Sequence, residues 1–307
     1  MTRQRPSLST RCATAILGCA GVIGILSMPA GAAPFELPAL TSPPSRLHLQ
    51  GKLIWLDLET TDLSGAERFY HGLFGWEYRD YHAYGVDYVV ALVNGQPAAG
   101  LVRRPIVRDT ERHSAWLPFF SVTEVDATAA LAGTTHAAVS AAPEDLPQRG
   151  RQARLIDPAG AVFAVLASSS GDPPDDPNPR AVGSFGAPAL LAQNPVQEAV
   201  FYQDLFGYKA MDAPAGDAFE RIRLSGDAHE RAIIRGLADG GPVPTTQWVA
   251  FVRVFSLADT LQKTVKAGGR IVIATTRASH GASLAILADP SGALFGVMQL
   301  PPETARR

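Results

Sequence analysis

Two stretches of this chain carry the same motif. Asp62 to Trp76 reads DLSGAERFYHGLFGW and Asn194 to Tyr208 reads NPVQEAVFYQDLFGY, so FY-x-x-LFG recurs at a shift of 132 residues. In the first copy Phe69, Tyr70, Leu73 and Phe74 form one apolar stripe of a helix. Asp62 is placed to cap its start, and Gly75 to end it in the left-handed conformation. In the second copy Asn194 takes the cap, and Pro195 takes the first helical position, where a missing N–H costs nothing.

The shift holds well beyond the helix. Trp116 maps onto Trp248, Val122 onto Val254, and Asp157-Pro158 onto Asp289-Pro290. Gly160, Ala161 and Phe163 map onto Gly292, Ala293 and Phe295. One constant offset across these anchors means internal duplication. Within each copy the order strand, helix, strands occurs twice. Leu53 to Glu59 predicts a strand before the first helix. Asp87 to Val93 and Ala98 to Val102, joined at Asn94-Gly95, predict a hairpin after it. Trp116 to Val122, a short helix over Asp126 to Leu131, the turn Asp157 to Gly160 and the strand Ala161 to Leu166 repeat that course. The reading is therefore α+β, with four similar modules in two domains, residues 51–168 and 182–302. The Pro, Asp and Ser content of residues 169–181 predicts a linker between them.

Residues 1–33 have the form of a secretory signal peptide. Arg3, Arg5 and Arg11 precede an apolar run from Cys12 to Met28, and Pro29 to Ala33 offer small residues for cleavage near Ala32/Ala33. A lipoprotein signal is the rival, because Ile16-Leu17-Gly18-Cys19 looks like a lipobox that would place a lipid on Cys19. Against it, the apolar run continues past Cys19. A membrane anchor fits less well, since the run is short and rich in Gly and Ala. Residues 34–50 are Pro-rich and read as a tether. The expected location is periplasmic or extracellular, with membrane contact only through a lipid anchor. Both cysteines lie in the leader, so the exported body has no disulfide and no thiol nucleophile. Removing residues 1–32 takes away three Arg and no acids, which moves the net charge from −2 to −5. That balance argues against nucleic acid and anionic membrane surfaces as partners. The oligomeric state is not set by the sequence.

On the first strand, alternation puts Ile54, Leu56 and Leu58 on one face and Trp55, Asp57 and Glu59 on the other. The apolar face is expected under the helix, and the second face toward solvent or a cleft. Asp57 and Glu59 suit a paired acid/base or part of a metal site, or else an exposed or salt-bridged strand face. The reading as an exposed or salt-bridged face is preferred, since no third partner is identifiable. Their counterparts are Ala189 and Leu191, which confines their role to the first domain. Trp55 and Phe119 are candidates to stack on a flat ligand, whereas Trp116 and Trp248 recur at the offset and read as core. His48 falls in the tether, His71 off the helix stripe, His82 in an aromatic loop, His229 beside Glu230 in a turn, and His280 in a loop. None converges on a second ligand. Nucleophile-elbow, phosphate-loop, H-E-x-x-H and EF-hand patterns are missing.

Taken together, D/N-x-x-x-A/E-x-x-FY-x-x-LFG-W/Y, the closing runs DPAGAVFAVL and DPSGALFGVM, and their order and duplication resemble the vicinal oxygen chelate superfamily. That superfamily includes glyoxalase I, extradiol dioxygenases and bleomycin-resistance proteins. Trp55 to Asp62 and Trp116 to Val122 are closest to its glyoxalase-like, hydroxylase-labelled members. The resemblance covers about residues 50–170 and 180–302. It implies a tandem of two glyoxalase/bleomycin-resistance/dioxygenase-like domains, each of two paired βαβββ modules whose curved sheet encloses a cleft.

In the metal-dependent members a divalent ion sits in that cleft. It is held by His, Gln or Glu on opening and far strands, and it polarises adjacent substrate oxygens. Carried over, the opening position is Trp55, the far strand Ala98 to Val102 offers no donor side chain, and Trp116 to Val122 has no His or acid. The closing-strand Glu position is Ala164. In the second domain the matching places are Ala187 and Gly296. Only Asp57 and Glu59 offer oxygens, both from one strand. The resemblance thus points to a binder of a small hydrophobic or aromatic molecule without cofactor, with Trp55, Asp57, Glu59 and Phe119 at the ligand. Two alternatives stay open. One is a metal-dependent lyase, isomerase or dioxygenase of glyoxalase type, with a divalent ion on Asp57 or Glu59. The other is a structural or interaction module with filled clefts. No catalytic residue is assigned.

Overall fold

The computed structural model describes residues 37–83, 86–104, 114–175, 182–211, 221–277 and 282–301. Residues 1–36, with Cys12 and Cys19, lie outside the described residues, as do His113 and His280. Among the described residues no helix is long and apolar enough to cross a membrane.

The first module runs β1 (Leu53–Thr60), α1 (Leu63–Phe74), β2 (Glu77–Ala83), β3 (Val86–Val93) and β4 (Gln96–Arg103). The second runs β5 (Ala115–Ser121), α2 (Val125–Thr134), β6 (Ala138–Leu146), β7 (Gly150–Ile156) and β8 (Val162–Ser168). All eight strands form one sheet in the order β2-β3-β4-β1-β5-β8-β7-β6. Within each module the opening strand pairs parallel with the closing one; antiparallel β1 and β5 join the modules at the centre. Asn94 and Gly95 both have positive φ, 52° and 74°, as a tight hairpin turn requires.

The second domain repeats the order. It comprises β9 (Ala189–Ala192), α3 (Pro195–Phe206), β10 (Lys209–Met211), β11 (Arg221–Gly226) and β12 (His229–Gly236). Then come β13 (Gln247–Val249), β14 (Phe251–Arg253), α4 (Leu257–Lys266), β15 (Arg270–Arg277), β16 (Ser283–Ala288) and β17 (Leu294–Gln299). Its strand orders, β10-β11-β12-β9-β13 and β14-β17-β16-β15, are those of the first sheet interrupted at Ala250, between the two short strands that match β5.

Both signature helices end as their sequences require. The Asp62 carboxylate accepts from Gly65 N–H at 3.0 Å and the Asn194 side chain from Gln197 N–H at 3.3 Å. Gly75 and Gly207 close the helices at φ 70°.

Four sequence expectations change. Ile54 turns to the opposite side of the sheet from Leu56 and Leu58, because a bulge between Leu53 and Trp55 shifts the alternation. His82 is in strand β2, with Asp87 opposite, rather than in a loop. His229 opens strand β12; the turn before it is Asp227-Ala228, both left-handed. Residues 37–50, read as a tether, are docked on the first domain. Leu37 and Leu40 are buried, Thr41 bonds Ser170 twice, and Leu49 N–H donates to Asp172. Proline content hid these two leucines and the hydroxyls that fix the segment.

The two domains pack through their helical faces. One core joins α1 and its sheet to β16, β17 and the start of α4. The other joins α2 and its sheet to α3, β9, β11 and β12. Each core contains one polar relay that crosses between domains. Trp116 Nε1 donates to the Tyr70 hydroxyl at 3.0 Å, and that hydroxyl donates to Asp289 Oδ2 at 3.1 Å. In the second relay Trp248 Nε1 donates to the Tyr202 hydroxyl and Tyr202 to Asp157 Oδ2, both at 2.9 Å. Each aspartate's Oδ1 ties down its own turn, accepting from Ala293 and Ser291 in one and from Ala161 and Ala159 in the other. Three anchors of the duplication, the helix Tyr, the strand Trp and the DP-x-G Asp, are therefore members of one hydrogen-bond network made twice.

The copies differ at one place beside it. Glu198 on α3 is fully buried, and its counterpart on α1 is Ala66. As a carboxylate Glu198 finds no donor for either oxygen; as an acid it can donate to Asp157. Burial first, and then the charge of Asp157, push Glu198 up to about 8. Below the ordinary carboxyl range both folded and unfolded chains hold this proton. Between that range and about 8 only the folded chain holds it, so stability falls as pH rises across the window. Glu198→Gln cannot ionise and should flatten this slope. Between pH 5 and pH 9, wild type should lose on the order of 2 kcal/mol more than the variant in urea unfolding. Parallel curves would remove Glu198 as the cause.

Candidate functional site

The face of the first sheet that turns away from the helices carries an apolar floor. Register sets Trp55 opposite Phe119, and Phe119 opposite Ala164, across β1, β5 and β8. Tyr88 and Val90 from β3, Leu117 from β5 and Leu166 from β8 extend it, and Leu37 and Leu40 pack against it. Trp55 and Phe119, both singled out from sequence as ligand-facing, are thus neighbours on one surface.

Asp57 and Glu59 are on the same strand face but in different surroundings. Asp57 Oδ1 accepts from the Tyr88 hydroxyl at 2.6 Å and from Trp55 Nε1 at 2.8 Å. Burial pushes its carboxyl up; the Arg149 charge and these two hydrogen bonds oppose the rise. Burial and the neighbouring Asp57 hold the Tyr88 phenol well above its ordinary range. Gly100 opposite Asp57 makes room for the pair, since a Cβ there would lie 1.9 Å from the Tyr88 hydroxyl and 2.1 Å from Asp57 Oδ1. Glu59, 5% exposed, receives Arg104 Nη1 at 2.8 Å and Arg154 Nη1 and Nη2 at 2.6 and 3.1 Å. Glu59 is a buried ion-pair centre: of the exposed or salt-bridged face expected there, the salt bridges are present and the exposure is not.

Tyr88 and Arg149 are members of the site that the sequence did not mark. Arg149 sits in the turn between β6 and β7 and lies 4.3 Å over the Trp55 ring. Tyr88 stands on β3 in DYVVALV, where strand parity alone could have put it on the cleft side; nothing local flags Arg149. Of the histidines, His71 is exposed and its Nδ1 contacts the Trp76 carbonyl, while His48 is exposed on the docked segment.

These donors do not fit a divalent ion. Both hydrogen bonds to Asp57 Oδ1 occupy one oxygen, a guanidinium charge stands nearby, and Glu59 already neutralises two arginines. Among the described residues no group of three His, Cys, Asp or Glu converges. In the second domain the equivalent closing-strand position is Gly296. The Phe251 ring fills the space beside it, 2.3 Å from where a Cβ would be.

No family model matches the chain. It is 27% identical over 260 residues to the putative glyoxylase CFP32 of Mycobacterium tuberculosis, across 83% of this chain and 97% of that protein. It is 26% identical over 271 residues to the anthracycline biosynthesis protein DnrV of Streptomyces peucetius, across 81% of this chain and 94% of DnrV. The Mn(II)-bound glyoxalase from Novosphingobium aromaticivorans superposes with a TM-score of 0.55 at 17% identity, covering 82% of this chain and 83% of the other. The chain has the vicinal oxygen chelate fold, and its sequence is similar to that of a putative glyoxylase. A second superfamily structure, an extradiol ring-cleaving dioxygenase from B. fuscum, aligns at 14% identity with a TM-score of 0.55, over 87% of this chain and 77% of its own. At such identities these two structures establish the vicinal oxygen chelate fold and nothing about the reaction.

Proposed function

We propose that this vicinal oxygen chelate protein is exported and binds a small hydrophobic or aromatic molecule in the cleft of its first domain, without the superfamily's metal. The observation that carries the reading is the floor itself. Trp55, Phe119 and Ala164 stand side by side where oxygen and nitrogen donors would be needed, and they offer flat and apolar surface instead. The leader Met1 to Ala33 supports export, and the likeness to a protein named for anthracycline biosynthesis is compatible with a flat organic ligand.

The filled-cleft reading has two observations in its favour: Leu37 and Leu40 cover part of the floor, and Trp55, Phe119 and Ala164 are at most 5% exposed. Native mass spectrometry and metal analysis of the full chain, with titration by 2-naphthalenemethanol, separate the readings. Binding of this neutral aromatic without a stoichiometric divalent ion is expected. A stoichiometric ion that disappears in Glu59→Gln would overturn the metal-free reading. No binding by either wild type or a Leu37→Ala/Leu40→Ala variant would favour the filled cleft.

A further inference from the structure

Among the described residues of the first domain, Arg149 is a buried cation whose donors the fold does not use. It is 2% exposed, and none of Nε, Nη1 and Nη2 has a hydrogen-bond acceptor. The other arginines of this domain that reach inward are paired: Arg104 and Arg154 both hold Glu59. In the second domain, buried Arg231 holds Asp175 of the linking segment. A guanidinium withdrawn from water without acceptors is costly, and stacking on an indole returns only part of that cost.

The backbone fixes Arg149 where it is. Gln148 before it is left-handed at φ 61°, and Gly150 after it has φ 118°. Arg149 N–H donates to the Leu146 carbonyl at 3.2 Å, and the Arg149 carbonyl accepts from Ser169 N–H at 3.1 Å. A Cβ on Gly150 would meet the Ala167 carbonyl oxygen at 2.0 Å, so this turn admits no other residue there without moving. Asp57, the nearby carboxylate, spends Oδ1 on Tyr88 and Trp55 and makes no ion pair with Arg149. A planar fork of donors is therefore held beside an aromatic floor, with no carboxylate among the described residues hydrogen-bonded to it.

We propose that the first-domain cleft binds a flat apolar molecule bearing a carboxylate or like anionic group, with the anion on the Arg149 guanidinium and the ring system over Trp55 and Phe119. This rests on the cleft-binding reading above and adds the charge class of the ligand. A carboxylate matches the guanidinium fork in geometry, and enclosure strengthens the pair relative to water.

The test uses two probes of the same ring system, 2-naphthoate and neutral 2-naphthalenemethanol, titrated calorimetrically into the full chain. Wild type should bind the anion at least about tenfold more tightly than the alcohol. Arg149→Met should abolish that preference, so that the anion binds no more tightly than the alcohol. Arg149→Lys, which keeps the charge but not the fork, should fall between. Equal binding of both probes by wild type overturns the anion subsite and leaves the cleft reading intact. No binding of either probe overturns both. Should Arg149→Met fail to fold, the wild-type preference and Arg149→Lys still decide the question.

Discussion

Tyr70→Phe should destabilise the protein by about 1–3 kcal/mol even though the ring stays in place. The hydroxyl it loses is the middle of the Trp116–Tyr70–Asp289 relay. Without it the buried Trp116 N–H has no acceptor and Asp289 Oδ2 no donor, while the ring's edge contacts with Phe69 and Phe295 persist. Tyr202→Phe should act alike on Trp248 and Asp157. The two relays share no residue, so the double variant should lose nearly the sum. A sign in pH identifies the cause. Burial already pushes Asp289 up, and Tyr70 restrains it; loss of the hydroxyl raises it further. A carboxyl raised in the folded state costs stability as pH climbs from its unfolded value through its folded one. The Tyr70→Phe deficit, read as a urea midpoint, should therefore be larger at pH 8 than at pH 5. A deficit equal at both values would mean that packing, not the aspartate, carries the loss.

The relay also explains why the fold was legible in the sequence and the site was only half so. A duplicated Tyr, Trp and Asp are fixed together because they touch, so their common offset of 132 reports a real contact set spanning both domains. Caps and tight turns were legible because Asp62, Asn194, Gly75 and Asn94-Gly95 act locally. Trp55, Asp57, Glu59 and Phe119 could be placed on one face from strand parity, although the bulge that reverses Ile54 left no trace in the residues around it. What parity cannot supply is the partner across the sheet. Tyr88 reaches Asp57 from 31 residues away, and Arg154 reaches Glu59 from 95. Arg149 was invisible because an arginine in a turn is ordinarily solvated, and only the assembled sheet buries it over Trp55. Leu37 and Leu40 were missed for the converse reason, being two apolar residues in a stretch whose prolines suggest no core at all.

Glu59→Ala should cost about 3–5 kcal/mol, the largest loss expected from any single change in the first-domain cleft. Its side chain is 7% exposed, and the side chains of the arginines it holds, Arg104 and Arg154, are 12% and 19% exposed. Removing the anion leaves two enclosed guanidinium groups facing one another with no charge between them. That costs far more than losing a surface pair, for which at most about 1 kcal/mol would be expected. Glu59→Gln keeps the shape and one acceptor, so it should recover part of the loss but not the charge balance. Replacing all three residues with apolar side chains of similar volume should restore most of the stability, because the penalty belongs to the unpaired cations and not to the missing contacts. A loss under about 1 kcal/mol in Glu59→Ala would mean that water screens the cluster, and would free Glu59 for other roles. The contrast with Arg149 then becomes informative. Glu59 is saturated by protein, so its removal should register in unfolding. Arg149 has no protein acceptor to lose, so Arg149→Met should register in ligand affinity with little loss of stability. If the two variants changed places in these assays, the division of the cleft into an ion-paired rim and a receptive arginine would be wrong.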